Sequence, residues 1–124
     1  MARVNHGTRH QEEVILTKAL KNAAEYWGMN NRQLGGIIGL SEATISRLRN
    51  DHYLLEHDSK PWQLAVVFLR VFRGLDAYMG GNAENERLWL QSNNTALGGI
   101  PADLMHNIEG LASVVQYVDY MRGQ

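Results

Sequence analysis

The 124-residue sequence contains no cysteine and only two prolines. Without cysteine, disulfide frameworks, thiolate metal sites and cysteine nucleophiles are excluded, and the chain suits a reducing compartment. No apolar run approaches the ~20 residues needed to span a bilayer. The polar start of the chain, which carries Arg3, Arg9, Glu12 and Glu13, does not read as a secretion signal. We therefore expect a cytoplasmic protein without a membrane segment, folded as one compact unit.

Strand-like alternation of apolar and polar residues is also missing. Apolar residues recur instead at intervals of three and four, which predicts an all-α fold. Helices are expected over residues 13–27, 32–38, 42–50 and 61–79, followed by a short helix capped by Asn82, a turn at 101–105 and a final helix from about Glu109. The predicted regions are a polar N-terminal extension (1–13), a region of shorter helices (14–60), a long central helix (61–81) and a small C-terminal helical domain (82–124).

Residues 31–50 have the spacing of a helix-turn-helix unit. Gly39 stands where the turn requires a positive φ, which glycine adopts without strain. Gly35 is small enough to let the two helices approach each other. The predicted inward-facing aliphatic residues are Leu34, Ile38, Leu40, Ile45 and Leu48. Such a unit presents its second helix to the major groove of DNA, so the pattern predicts a double-stranded DNA ligand.

The polar residues of this unit are the candidate DNA contacts. Those at the start of the second helix are predicted to face the bases, and Arg47 is suited to guanine because its guanidinium can donate to O6 and N7 together. Others are better placed for phosphates. The alternative for any one of them is an ordinary solvated face. The full set of predicted DNA-binding residues is Arg32, Gln33, Ser41, Glu42, Ala43, Thr44, Ser46, Arg47, Arg49 and Asn50.

Charge is distributed unevenly along the chain. Residues 1–80 hold ten lysines and arginines against eight acidic residues, whereas residues 81–124 hold two against five. With so few cations one copy is expected to bind DNA weakly at physiological salt, so the sequence predicts a homodimer that reads two half-sites. The central helix is apolar nearly all round, which suits both a core and a dimer contact. Its predicted dimerisation residues are Trp62, Val66, Leu69, Phe72 and Arg73.

Nothing in the sequence indicates an enzyme or a cofactor. His6 and His10 have helical i, i+4 spacing but lack an obvious third ligand, so no metal site is predicted. The other three histidines stand apart from any arrangement typical of a catalytic triad. A phosphate-binding glycine loop that follows a strand is not expected either, since no strand is predicted. We therefore predict a binding protein without catalytic residues.

The C-terminal part contains a series of short motifs in a specific order. They are RLWL at 87–90, ALGGIP at 96–101, DLM at 103–105, EGL at 109–111 and YVDYMRG at 117–123. Together with LTKAL at 16–20, SEATISRL at 41–48 and LRVFRGL at 69–75, this order resembles the Xre/MbcA/ParS antitoxins, the partners of RES-domain toxins. The chain departs from the family in the link between Gly99 and Pro101, which is shortened to Ile100 alone, and in Val118, where leucine is usual.

The resemblance implies an Xre/Cro-like helix-turn-helix bundle joined through a long apolar helix to a small toxin-binding domain. It implies the antitoxin of a type II toxin-antitoxin system, which covers the active site of an NAD-consuming toxin and represses its own operon. The residues implied to bind the toxin are Trp89, Leu97, Gly98, Gly99, Pro101, Tyr117, Tyr120, Met121, Arg122, Gly123 and Gln124. The alternative from the residues alone is a stand-alone dimeric transcription regulator whose C-terminal part binds an effector or dimerises.

Overall fold

The computed structural model of the protein describes residues 6–123, and for His6 it describes the backbone only. Gln124, one of the residues implied to bind the toxin, therefore lies outside the described residues. The described chain is all-helical, as predicted. Its seven helices are α1 (His6–Tyr26), α2 (Asn31–Ile38), α3 (Glu42–Arg49), α4 (Lys60–Tyr78), α5 (Ala83–Gln91), α6 (Pro101–Leu104) and α7 (Ile108–Arg122).

Helices α2 and α3 begin where short polar side chains satisfy free backbone amides. Asn30 caps α2 by accepting a hydrogen bond from the Gln33 amide at 2.8 Å, and the Gln33 side chain accepts one from the Asn30 amide at 2.9 Å. Ser41 caps α3 by accepting from the Thr44 amide at 3.1 Å. Gly39 joins the two helices with a φ of +85°. The predicted turn geometry is confirmed.

Helix α1 begins at His6, seven residues before the predicted start at Glu13. Contacts with the loop after α3 hold this added segment. The imidazole Nε2 of His57 lies 2.6 Å from a carboxylate oxygen of Glu12, and the His57 backbone amide donates to Glu13 at 2.7 Å. The predicted start of the first helix is therefore seven residues too late, because the partners that hold this end of α1 lie more than forty positions away in the sequence.

Helix α4 is the centre of the fold and packs against α1, α2, α5 and α7. Its Phe68 is fully buried and meets the Trp27 ring edge-on at 5.3 Å between centroids. On the other side α4 approaches α7 so closely that a Cβ added at Gly74 would lie 2.5 Å from a methyl group of Val118. One helix therefore carries core contacts for both the N-terminal and the C-terminal parts of the chain.

The C-terminal helices fold back onto the helix-turn-helix unit. A Cβ added at Gly36 of α2 would lie 2.6 Å from Nδ1 of His106, which places the turn between α6 and α7 directly over α2. Asn82 caps α5 as predicted by accepting from the Asn85 amide at 3.0 Å. Over residues 6–123, no helix combines the length and the apolar character that crossing a bilayer requires.

Candidate functional site

Helix α3 presents an open polar face. Glu42, Ala43 and Arg47 are exposed, while Ile45 and Leu48 on the opposite face are fully buried. The guanidinium carbon of Arg47 lies 5.7 Å from the centre of the Tyr53 ring, so the ring supports the arginine without burying it. This is the arrangement that a recognition helix needs, because its outward side chains stay free to meet base edges.

Besides Ser41 and Thr44, which pair with each other at the start of α3, three residues predicted to contact DNA are already engaged within the chain. The Arg49 guanidinium donates to the carbonyl oxygen of Met29 at 2.9 Å and to the side-chain oxygen of Asn31 at 3.0 Å. The Gln33 side chain belongs to the cap of α2, and the Asn50 amide donates to the carbonyl oxygen of Ser46 at 2.8 Å. These bonds orient α2 and α3, so the three residues position the interface and do not project freely from it.

A polar hollow of about 540 Å³ lies beside α3, lined by Asn30, Asn31, Arg32 and Glu42. The start of α2 opens into it, where helix dipole and backbone amides favour an anion. The structure therefore brings Arg32 and Glu42 together beside two asparagines that the sequence indicated only as possible helix caps. The position of these asparagines at a helix start could have indicated a phosphate contact from the sequence, since phosphate contacts are common there.

The predicted toxin-binding residues separate into an aromatic surface and a supporting loop. Trp89 and Tyr117 stack at 6.3 Å between centroids and 18° between planes, which joins α5 to α7. One turn further along α7, Tyr120 leaves 64% of its surface open, and Arg122 and Gly123 are exposed beside it. A broad apolar ring with a polar tip at such a site is typical of a protein-binding anchor.

The supporting loop precedes α6. Asn94 pairs with Gly99 in an isolated bridge, and Gly98 has a φ of +80°. Leu97 packs against the core, and so does Met121 on α7. Pro101 is buried at the first turn of α6, so in the unbound chain it packs inside the loop and does not lie on the open surface.

The five predicted dimerisation residues lie together along one apolar groove. The groove has a volume of about 640 Å³ and runs between α1 and α4. Val66 is exposed, Leu69 is buried, and Phe72 is half-buried. The lining residues are Trp62, Val66, Leu69, Phe72 and Arg73 from α4, with Glu12, Ile15, Leu16, Ala19, Asn22, Ala23 and Tyr26 from α1. The α1 wall was not predicted.

Glu86 was also missed. It lies in the first turn of α5, where it is fully buried and accepts a hydrogen bond from Nε1 of Trp27 at 3.0 Å. Burial first, then a hydrogen bond with Asp76, raises the pKa of Glu86 to about 7.

Among the described side chains, no three His, Asp or Glu residues converge as metal ligands would.

Comparison with known families assigns both parts of the chain. Residues 8–70 match the antitoxin Xre-like helix-turn-helix domain, and residues 74–123 match the antitoxin Xre/MbcA/ParS C-terminal toxin-binding domain. A comparison with curated proteins gave no significant match. The matched families consist of antitoxins, which are not enzymes. The protein therefore belongs to the Xre/MbcA/ParS antitoxin family, with a DNA-binding helix-turn-helix domain and a C-terminal toxin-binding domain.

Proposed function

We propose that this antitoxin neutralises a RES-domain, NAD-consuming toxin by covering its active site with the end of α7. The observation that carries the proposal is the match of residues 74–123 to the toxin-binding domain, whose last turn leaves Tyr120 and Arg122 open. A ring that is 64% exposed loses water over a large area when it enters a pocket, and a neighbouring guanidinium can pair with anionic groups there.

Removing residues 120–124 should abolish neutralisation without unfolding the protein, because the buried residues of α7, from Leu111 to Val118, stay in place and, among the described residues, the only core contact removed is that of the partly buried Met121. Cells that co-express a RES-domain toxin with the truncated protein should then lose growth and NAD, while the full chain protects them. Full rescue by the truncated protein would contradict the proposal.

A point variant makes the same test without shortening the helix. Tyr120→Asp places a charge in the proposed contact and should weaken toxin binding by about 2 kcal/mol or more. The matched control is Tyr78→Asp on α4, since Tyr78 is another exposed tyrosine at 54%. Equal loss of toxin binding in both variants would remove Tyr120 from the proposed contact.

We also propose that the protein represses its own operon as a homodimer. Residues 14–60 would bind the operator, the central helix over 61–81 would support the dimer, and residues 82–124 would hold the toxin. Two copies double the number of phosphates neutralised, and affinity for DNA rises steeply with that number. Exposed Arg47 on α3 and the polar hollow at the start of α2 support the DNA assignment.

Arg47→Ala should weaken operator binding by about 1–3 kcal/mol, because a bidentate contact to a base edge is lost. Its fold should persist, since Arg47 is exposed and its ring contact with Tyr53 lies at the surface. Gel-shift titration with the promoter fragment measures the effect, and toxin rescue should be unchanged. Arg122→Ala is the reciprocal control: it should keep operator affinity and weaken neutralisation. Operator affinity equal to wild type in Arg47→Ala would refute the base contact.

A further inference from the structure

The groove between α1 and α4 leaves apolar surface uncovered on the outside of the protein. Ile15 is 68% exposed and Val66 is 43% exposed, and both line the groove. On α1 the lining residues repeat at three and four positions, so they form one continuous stripe about 20 Å long. A contiguous exposed apolar surface of this kind is suited to binding another protein.

The two walls of the groove run in the same direction. At one end His57 joins them, since its ring contacts Glu12 of α1 at 2.6 Å and lies 4.5 Å from the Trp62 ring of α4. At the other end Tyr26 of α1 meets Phe72 of α4 edge-on at 5.5 Å. The groove therefore has a start near Glu12 and an end near Phe72.

The two ends carry opposite charges. Glu12 lines the start of the groove, and Arg73, the residue after Phe72, lines its end. Arg73 is exposed and makes no ion pair with another described residue. Between these charges the walls are almost entirely apolar, with Ala19 near the middle of the α1 stripe, where its small side chain permits close approach. From its start to its end, the groove is thus first acidic, then apolar and finally basic.

We infer that a second copy of this chain closes the groove in antiparallel orientation, so that Glu12 of each copy faces Arg73 of the other. In a two-fold dimer the same patch is used twice. Antiparallel grooves place acidic ends against basic ends, whereas parallel grooves would place like charges together, which is unfavourable. The inference rests on the proposed homodimer and specifies its geometry, including the α1 wall.

Ile15→Asp tests whether the groove is the interface. The side chain is mostly exposed, so the variant should fold, but in the dimer two carboxylates would be buried against apolar surface. We expect the dimer to weaken by at least about 100-fold in sedimentation equilibrium. Ile108→Asp is the matched control, since Ile108 is also 68% exposed but lies on α7, outside the groove lining. An Ile15→Asp variant that stays as dimeric as Ile108→Asp overturns the inference.

Charge reversal tests the orientation. Glu12→Lys and Arg73→Glu should each weaken the dimer by about tenfold, because each change enters a symmetric interface twice. The double variant restores opposite charges and should recover most of that loss. Glu12 also contacts His57 within its own chain, and the double-variant cycle separates this intramolecular effect from the coupling with Arg73. If the losses of dimer affinity in the two single variants simply add in the double variant, Glu12 and Arg73 do not interact across the interface, and the antiparallel orientation is overturned.

The outcome for the dimer is separable from the outcome for the toxin. Neutralisation is measured by co-expressing Ile15→Asp with the toxin and assaying NAD. If the wild-type chain is monomeric yet neutralises the toxin, the inference fails and the proposed antitoxin activity stands. If the chain forms the antiparallel dimer but does not protect NAD, the inference stands and the proposed toxin fails.

Discussion

Glu86→Gln is expected to stabilise the protein at pH 8 by about 2 kcal/mol. Oε1 of Glu86 accepts from Trp27, while Oε2 and Oδ1 of Asp76 are buried without a hydrogen-bond partner among the described residues. Burial of Glu86 first, and then its hydrogen bond with Asp76, raises the pKa of Glu86 from 4.5 to about 7, and the proton that Glu86 retains is shared between the two otherwise unpartnered oxygens. Glutamine keeps the acceptor for Trp27 and supplies an uncharged donor to Asp76.

The sign of the pH dependence follows from this raised pKa. A carboxyl that holds its proton more tightly when folded loses stability as pH rises from its ordinary value of 4.5 to about 7. The free energy of unfolding of the wild type, from urea titrations at pH 5 to 8, should therefore fall with pH. In Glu86→Gln the dependence of the unfolding free energy on pH should be weaker. The part that remains comes from His57, whose pKa is raised chiefly by the hydrogen bond with Glu12. His57 loses its contribution as pH rises through that pKa.

Glu84→Gln is the matched control for Glu86→Gln. Glu84 lies in the same first turn of α5, but it is exposed, so its substitution should change stability by less than about 0.5 kcal/mol and leave the slope intact. A wild type whose stability does not vary from pH 5 to 8, or a Glu86→Gln protein less stable than wild type at pH 8, would contradict the shared proton.

Gly110→Ala is expected to destabilise the protein by about 3 kcal/mol. Gly110 lies in the first turn of α7, and a Cβ added there would overlap the carbonyl oxygen of Leu104 in α6. Backbone atoms cannot turn aside as a side chain can, so α6 and α7 must separate. Separation disturbs Met105 and Leu111, which are both buried in the core. The intrinsic preference of helices for alanine over glycine, about 1 kcal/mol, offsets only part of this loss.

The measurement is thermal and urea unfolding of Gly110→Ala beside Gly123→Ala. Gly123 follows the same helix, but an added Cβ there lies 3.5 Å from the Asp119 carbonyl oxygen, an ordinary contact. Gly123→Ala should therefore unfold like the wild type. Equal stability of the two variants would contradict this prediction, because it would show that the packing of α6 on α7 leaves room for a side chain at position 110.

Local features of the fold were predictable where one short segment contained both partners. Ser41 and Asn82 cap helices through amides three residues later, and Gly39 makes its turn alone. The start of α1 depends instead on His57, far along the chain. Gly36 likewise packs against His106, seventy positions later in the sequence. Periodicity within a window carries no information about such pairs.

The same distinction applies to the candidate site. The outward face of α3 was predictable because Ile45 and Leu48 fix which side is buried. The roles of Arg49 and Glu86 were not, since each depends on one distant partner. Arg49 reaches back to Met29, and Glu86 reaches Trp27, fifty-nine positions away. A charged residue on a short helix is usually at the surface, and only the tertiary contact shows the exception.

The boundary between the two matched families, residues 70 and 74, falls inside the unbroken helix α4. Arg70 on one side of it pairs with Asp119 on the other, and Gly74 makes room for Val118. Exchange of toxin-binding modules between antitoxins of this kind must therefore join two sequences within a helix. A recombinant keeps its fold only if it inherits a small residue at position 74 together with the α7 that fits it, which restricts how DNA and toxin specificities can be recombined in evolution.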